Sequence, residues 1–129
     1  MTAMGRKPSL TLTDAELRIM RVLWARSEST NMDIVNAIAD PPLARNTVMT
    51  TLGVLERKGY VKHRTEGRTF IYSALVPEDR ARGTALESVL RRFFDGSAEQ
   101  LVVKLLDAEY ISNAERKRIQ KLVDEAVEE

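Results

Sequence analysis

The sequence predicts a mainly α fold in which one small β-hairpin interrupts a series of helices. Three observations carry this. Residues 45–61 join an apolar stripe at helical spacing to a glycine stop and the start of a strand. Residues 60–64 and 69–75 read as two strands around a short Gly-containing connection. Beyond residue 76 every apolar pattern is helical, and no strand is available to cover it.

In chain order, residues 1–10 are expected to be a flexible lead-in. Arg6 and Lys7 precede no apolar core region, so no secretory signal is expected. Thr13-Asp14-Ala15-Glu16 is a capping box, and Leu12 and Leu17 are placed for a hydrophobic staple. A first helix runs from there to about Arg26, with Leu17, Met20, Val22, Leu23 and Trp24 inward and Arg18, Arg21 and Arg26 outward. Trp24 is expected to anchor the core. Residues 27–31 read as a loop, with Asn31 capping a second helix over 32–39 whose inward residues are Ile34, Val35 and Ile38. Asp40-Pro41-Pro42 ends it, because proline cannot continue a hydrogen-bonded helix.

The third helix places Val48, Leu52 and Leu55 at i, i+4, i+7 on one stripe. Its other side carries Asn46, Met49, Thr50, Gly53 and Arg57, with no acid. Gly59 suits the left-handed residue after a helix, and Arg57 and Lys58 suit the negative end of the helix dipole. In the hairpin that follows, Phe70 and Tyr72 share one side, Ile71 and Ser73 the other. Lys62, His63, Arg64 and Arg68 cluster around the connection at residues 65–68, and His63 is expected at the wing surface. Three short helices and then a hairpin is the order of a winged helix-turn-helix with a two-stranded wing, expected over residues 11–76.

Val76-Pro77 marks the junction to a helical arm, residues 77–129. Its first helix, to about residue 94, carries Leu86, Val89, Leu90, Phe93 and Phe94. Asp95-Gly96-Ser97 breaks the chain before a helix over 98–108 with Leu101, Val102, Leu105 and Leu106. Ser112 and Glu115 form a second capping box before a helix striped by Ile119, Leu122, Val123 and Ala126. So small a unit can hardly bury three stripes alone. Dimerisation is therefore expected through Leu86, Leu90, Phe93, Phe94, Leu101, Leu105, Ile119, Leu122 and Val123.

Composition narrows the function. The 129 residues are 43% apolar and 30% charged, and no apolar run approaches the ~18 residues that span a membrane. No membrane insertion is expected. The absence of cysteine leaves no thiolate metal site and fits the cytoplasm. With one histidine, and no Ser–His or paired-carboxylate arrangement, no catalytic residue, metal or cofactor is expected. Charge is uneven: residues 1–75 hold 11 Lys/Arg and 7 Asp/Glu, a net +4, whereas residues 76–129 hold 9 and 12, a net −3. A basic first part suits a polyanion, and an acidic second part suits protein contact. The expected partner is double-stranded DNA. Asn46 and Thr50 would read base edges, Met49 would pack on a thymine methyl, and Arg45, Lys62, Arg64 and Arg68 would hold phosphates. Two rival readings are a small-molecule-responsive winged-helix regulator, with the ligand between the domains, and a winged helix used only for protein–protein contact. The basic wing argues against the second.

The chain resembles the penicillinase and methicillin-resistance repressors, the BlaI/MecI family with its copper-responsive relative CopY, over about residues 10–127. The resemblance rests on Leu12-Thr13-Asp14-Ala15-Glu16 with Met20 and Leu23-Trp24. It rests further on Asn46-Thr47-Val48-Met49-Thr50-Thr51-Leu52 with Leu55 and Lys58-Gly59-Tyr60-Val61, and on Gly67-Arg68-Thr69-Phe70-Ile71-Tyr72. It implies a homodimer that represses transcription at a palindromic operator, with Asn46, Thr47, Met49 and Thr50 on the base side and Arg68 on the wing. It also implies inactivation when a membrane sensor-transducer protease triggers a cut in the dimerisation domain. Well-known members are cut between Asn and Phe, and the aligned pair here is Lys104-Leu105, a departure from that pattern. A copper-sensing member would carry a C-terminal cysteine cluster, which this chain lacks.

Overall fold

A computed structural model describes residues 11–127. The elements run α1 (Asp14–Ala25), β1 (Ser29–Thr30), α2 (Asn31–Ala37), α3 (Arg45–Lys58), β2 (Val61–Glu66), β3 (Thr69–Ala74), α4 (Glu78–Phe94), α5 (Ala98–Asp107) and α6 (Asn113–Val127). The expected flexible lead-in, residues 1–10, lies outside the described residues. The chain divides into two compact units between Leu86 and Glu87, inside α4. The expected junction at residues 76–77 is where strand gives way to helix, but Ala81 still belongs to the first core.

In the first unit α1 starts as its capping box dictates. Thr13 Oγ1 accepts from the Glu16 amide at 3.2 Å, and Glu16 Oε1 accepts from the Thr13 amide at 2.8 Å. Ile19, which the expected stripe left out, is fully buried beside Met20 and Leu23. Trp24 packs at the core's edge and donates from Nε1 to the Val76 carbonyl at 2.9 Å.

Two expectations are corrected around α2. Thr30, not Asn31, is its N-cap: Thr30 Oγ1 accepts from the Asp33 amide, and the Asp33 carboxylate accepts from the Thr30 amide. Asn31 is the first helical residue. The helix stops at Ala37 rather than Ala39, with Ile38 already extended yet buried in the core. Pro41 and Pro42 have no N–H to donate to the Ala37 and Ile38 carbonyls four residues back, so the proline pair acts upstream of itself. The expected loop at 27–31 also contains a strand. Ser29 and Thr30 pair antiparallel with Tyr72 and Ile71, giving a three-stranded sheet in the order β1-β3-β2.

In α3 the predicted stripe is the core: Val48, Leu52 and Leu55 are fully buried. Gly59 ends it at φ 84°, and the Tyr60 amide reaches back to the Leu55 carbonyl at 2.9 Å. That reversal aims the chain straight into β2. The hairpin is tighter than expected, since the strands pair as far as Glu66 with Thr69 and only Gly67 and Arg68 turn the corner. Gly67 takes φ 64° and Arg68 has no positive φ, which is what a two-residue turn with glycine first requires.

The second unit is helical. Asp95 and Gly96, at φ 49° and 81°, break the chain as expected, and Ser97 Oγ caps α5 by accepting from the Gln100 amide. Ser112 Oγ caps α6 the same way, from the Glu115 amide at 3.1 Å. No residue of α5 is buried, and Phe93 and Leu122 are 69% and 64% exposed.

Candidate nucleic-acid interface

The outward side of α3 is built by its own period. Burying Val48, Leu52 and Leu55 turns Asn46, Thr47, Met49 and Thr50 outward, and all four are exposed. Met49 keeps 54% of its surface in water. No side chain caps the N-terminus of α3, where Ala44 is the N-cap, and no acid occupies its first turn. Arg45 stands there, exposed and without an ion-pair partner among the described residues.

The hairpin sorts the basic residues onto two sides. Val61, His63 and Thr65 share one face of β2, opposite Ala74, Tyr72 and Phe70 of β3. That face begins in the core, with Val61 and Tyr72 buried, and runs out of it as the hairpin projects, leaving Phe70 47% exposed. Burial pushes the Tyr72 hydroxyl above its ordinary pKa, and the Glu56 charge adds to this. Lys62 and Arg64 lie on the opposite face by alternation. Arg64 donates to Glu28 at 2.9 and 3.1 Å and to Glu66 at 2.9 Å. Those hydrogen bonds raise its pKa further above an already basic value, and the Arg64 bond in turn holds Glu28 below the ordinary carboxylate range. Three of the five guanidinium N–H groups of Arg64 are thereby engaged with carboxylates. Arg68, at the turn, has no such partner among the described residues.

Two interactions absent from the sequence expectations tie these pieces together. His63 is not a free surface residue. Its Nδ1 donates to the Glu56 carboxylate, 2.9 Å from either oxygen, and its ring stacks on Phe70 with centroids 4.2 Å apart. The wing is thereby fastened to the last turns of α3. At the other side of α3, Lys58 Nζ donates to Glu16 Oε1 at 2.8 Å and to the Thr11 carbonyl at 3.1 Å, and both members of the ion pair are nearly buried. Sequence could offer only that Glu16 and Lys58, and Glu56 and His63, are opposite in charge or complementary in donor and acceptor.

Between the first turns of α3, the start of α2 and strand β3 lies a groove of about 580 Å³. Arg45 and Arg68 line it together with Met32, Met49 and Phe70, and none of its lining residues is acidic. No group of three or more metal-binding side chains occurs among the described residues.

Comparison with known proteins gives this surface its context. The model of the penicillinase repressor family matches residues 12–125. The chain belongs to that family. Among its relatives, the penicillinase repressor of Bacillus licheniformis is 27% identical over 115 residues, spanning 88% of this chain and 90% of that one. The methicillin resistance regulatory protein MecI of Staphylococcus aureus is 19% identical over 114 residues, 88% of this chain and 93% of that one. The solution structure of the DNA-binding domain of the repressor BlaI superposes with a TM-score of 0.51 at 29% identity, covering 58% of this chain and 93% of that domain. As a member of the penicillinase repressor family, the chain is a winged-helix, DNA-binding transcriptional repressor. None of its described helices is long and apolar enough to cross a membrane.

Proposed function

We propose that the chain acts as a homodimer that occupies a palindromic operator and blocks a promoter. The observation that carries this reading is the acid-free outer side of α3, with Arg45 and Arg68 near it and without an ion-pair partner among the described residues. In this reading α3 enters the major groove. Asn46, Thr47 and Thr50 meet base edges and Met49 meets a thymine methyl, each good contact discriminating by about 1–3 kcal/mol. Arg45 and Arg68 hold phosphates and fix the register. Lys62 and Arg64, on the hairpin's other face, add phosphate contacts where the duplex runs past that face.

The helical arm, residues 77–129, supplies the dimer. Leu86, Phe93, Ile119, Leu122 and Val123 are 40–69% exposed. Leu90, Phe94, Leu101 and Leu105, half-buried, lie on the same helices. A second copy covers these side chains by presenting the same stripes about a two-fold axis, and two α3 helices are then held at a fixed spacing along DNA. Relief of repression follows from any event that separates the copies. The aligned cut, Lys104-Leu105, lies within α5, so a protease triggered by a membrane sensor-transducer would have to unwind that helix first.

Selection of binding sites from randomised duplex DNA by the full chain tests the proposal. Enrichment of an inverted repeat with constant half-site spacing is expected. Enrichment of no motif, with binding that vanishes as salt rises, would overturn it.

A further inference from the structure

The 129 residues contain five methionines and no cysteine, so every sulfur in the chain is a thioether. Among the described residues Met20 is fully buried, whereas Met32 and Met49 are 43% and 54% exposed. Those two line the same groove, Met32 from the first turn of α2 and Met49 from the outer side of α3. No lysine, histidine or tryptophan is among the residues that line it, so the two thioethers are its most readily oxidised groups. Oxidation of sulfur follows exposure, and burial shields Met20.

We propose that Met49, with Met32 in the same groove, is an oxidation site through which a hypohalous acid releases the chain from DNA. This rests on the DNA-binding reading proposed above. The thioether sulfur gives a lone pair to the halogen of the acid, a sulfur–halogen bond forms, and hydroxide leaves. Water then adds its oxygen to sulfur, halide departs, and two protons pass to solvent. Sulfur loses two electrons and the halogen gains them, so the net products are methionine sulfoxide, halide and one proton. The side chain turns from apolar to polar. Where Met49 would meet a thymine methyl, the sulfoxide must give up water against an apolar group, with no hydrogen bond in return. A contact that favoured binding then opposes it. The change is reversible, because methionine sulfoxide reductases return the oxygen as water at the expense of a dithiol. The core need not move, since both side chains are exposed.

Graded hypochlorite treatment of the full chain tests this, read by peptide mass mapping and by titration onto its selected duplex. Met49 and Met32 should gain oxygen at doses that leave Met20 unmodified. Affinity for the selected duplex should fall about tenfold, the loss of one base contact, at an unchanged melting temperature. Reductase treatment with dithiothreitol should restore it. Met49→Leu keeps an apolar side chain of similar volume but offers no sulfur. Whatever its starting affinity, treatment should change that affinity less than about twofold. Met1, Met4 and Met32 stay oxidisable in this variant, so the difference isolates Met49. Oxidation of Met20 at the same dose, undiminished affinity with Met49 fully converted, unfolding of the treated chain, or an equal loss in Met49→Leu would overturn the proposal. An untreated chain that selects no motif would instead overturn the DNA reading, and the release with it, while the order of methionine modification is judged by mass alone.

Discussion

Replacing Lys58 by Met removes one half of an ion pair that is almost out of water. The Lys58 and Glu16 side chains are 11% and 5% exposed, and their charged atoms are 2.8 Å apart. After the substitution Glu16 stays buried without its cation. Breaking such a pair costs about 3–5 kcal/mol, because a charge remains desolvated and uncompensated. The lower end applies here, since the Thr13 amide still donates to the same Glu16 oxygen. A loss of about 3 kcal/mol in a domain this size lowers its melting temperature by roughly 12–24 °C. Replacing both partners, Glu16→Gln with Lys58→Met, removes the stranded charge and should recover most of that loss. The single tryptophan, Trp24, lies in the same unit, so urea melts followed by its fluorescence isolate the transition of interest. A double-mutant cycle should give a coupling above about 1.5 kcal/mol. A Lys58→Met melt within about 0.5 kcal/mol of the wild type, or strictly additive single losses, would refute the reasoning.

Further expectations concern the caps, the DNA face and pH. Thr30→Ala should cost about 1 kcal/mol in the same melt, whereas Asn31→Ala should leave the cap of α2 intact. Gly53→Ala places a methyl in the interior of α3 with nothing nearer than 3.8 Å, so it should stabilise by about 0.5–1 kcal/mol. Because Gly53 follows Met49 by one turn on the outer side, a matching fall in operator affinity should appear in a binding titration. Thr50→Ala should weaken the operator more than random DNA, whereas Arg68→Ala should weaken both equally; equal losses for Thr50→Ala would remove it from the reading set. For pH, the Arg64 hydrogen bond depresses the Glu28 pKa, and the Thr30 amide depresses that of Asp33. A depressed carboxylate stabilises the fold above its ordinary range, and that contribution disappears as pH falls through the folded value. Glu28→Gln should therefore narrow the gap between melting temperatures at neutral and strongly acidic pH, and an unchanged gap would count against the Glu28–Arg64 tie.

What the sequence made legible was local in origin. The stripe of Val48, Leu52 and Leu55, the Thr13 capping box and the Gly59 stop each depend on neighbours within a few positions, so periodicity and cap chemistry were enough. The same holds for Met49 and Thr50, whose exposure follows from burying the opposite side of one helix. What was missed depends on distant partners. β1 is two residues long and exists only because Ser29 and Thr30 meet Tyr72 and Ile71. The cap of α2 lay between two adjacent residues that cap equally well in isolation, Thr30 and Asn31. The reciprocal bond that the Asp33 carboxylate, at the third helical position, accepts from the Thr30 amide completes the cap. The basic cluster of the wing looked uniform in sequence. Hairpin alternation and a carboxylate 36 positions away separate Arg64 from Arg68. Lys58 likewise answered both to a helix dipole and to Glu16, 42 positions earlier, and only the second could not be read.

The most direct measurement of the central claim is the mass of the complex that the full chain forms with a duplex carrying its selected inverted repeat, determined by sedimentation in moderate salt. The account predicts two chains per duplex, and loss of that species when one half-site is scrambled or when Leu122→Glu charges the apolar stripe of α6. One chain per duplex, or a complex indifferent to both changes, would contradict it.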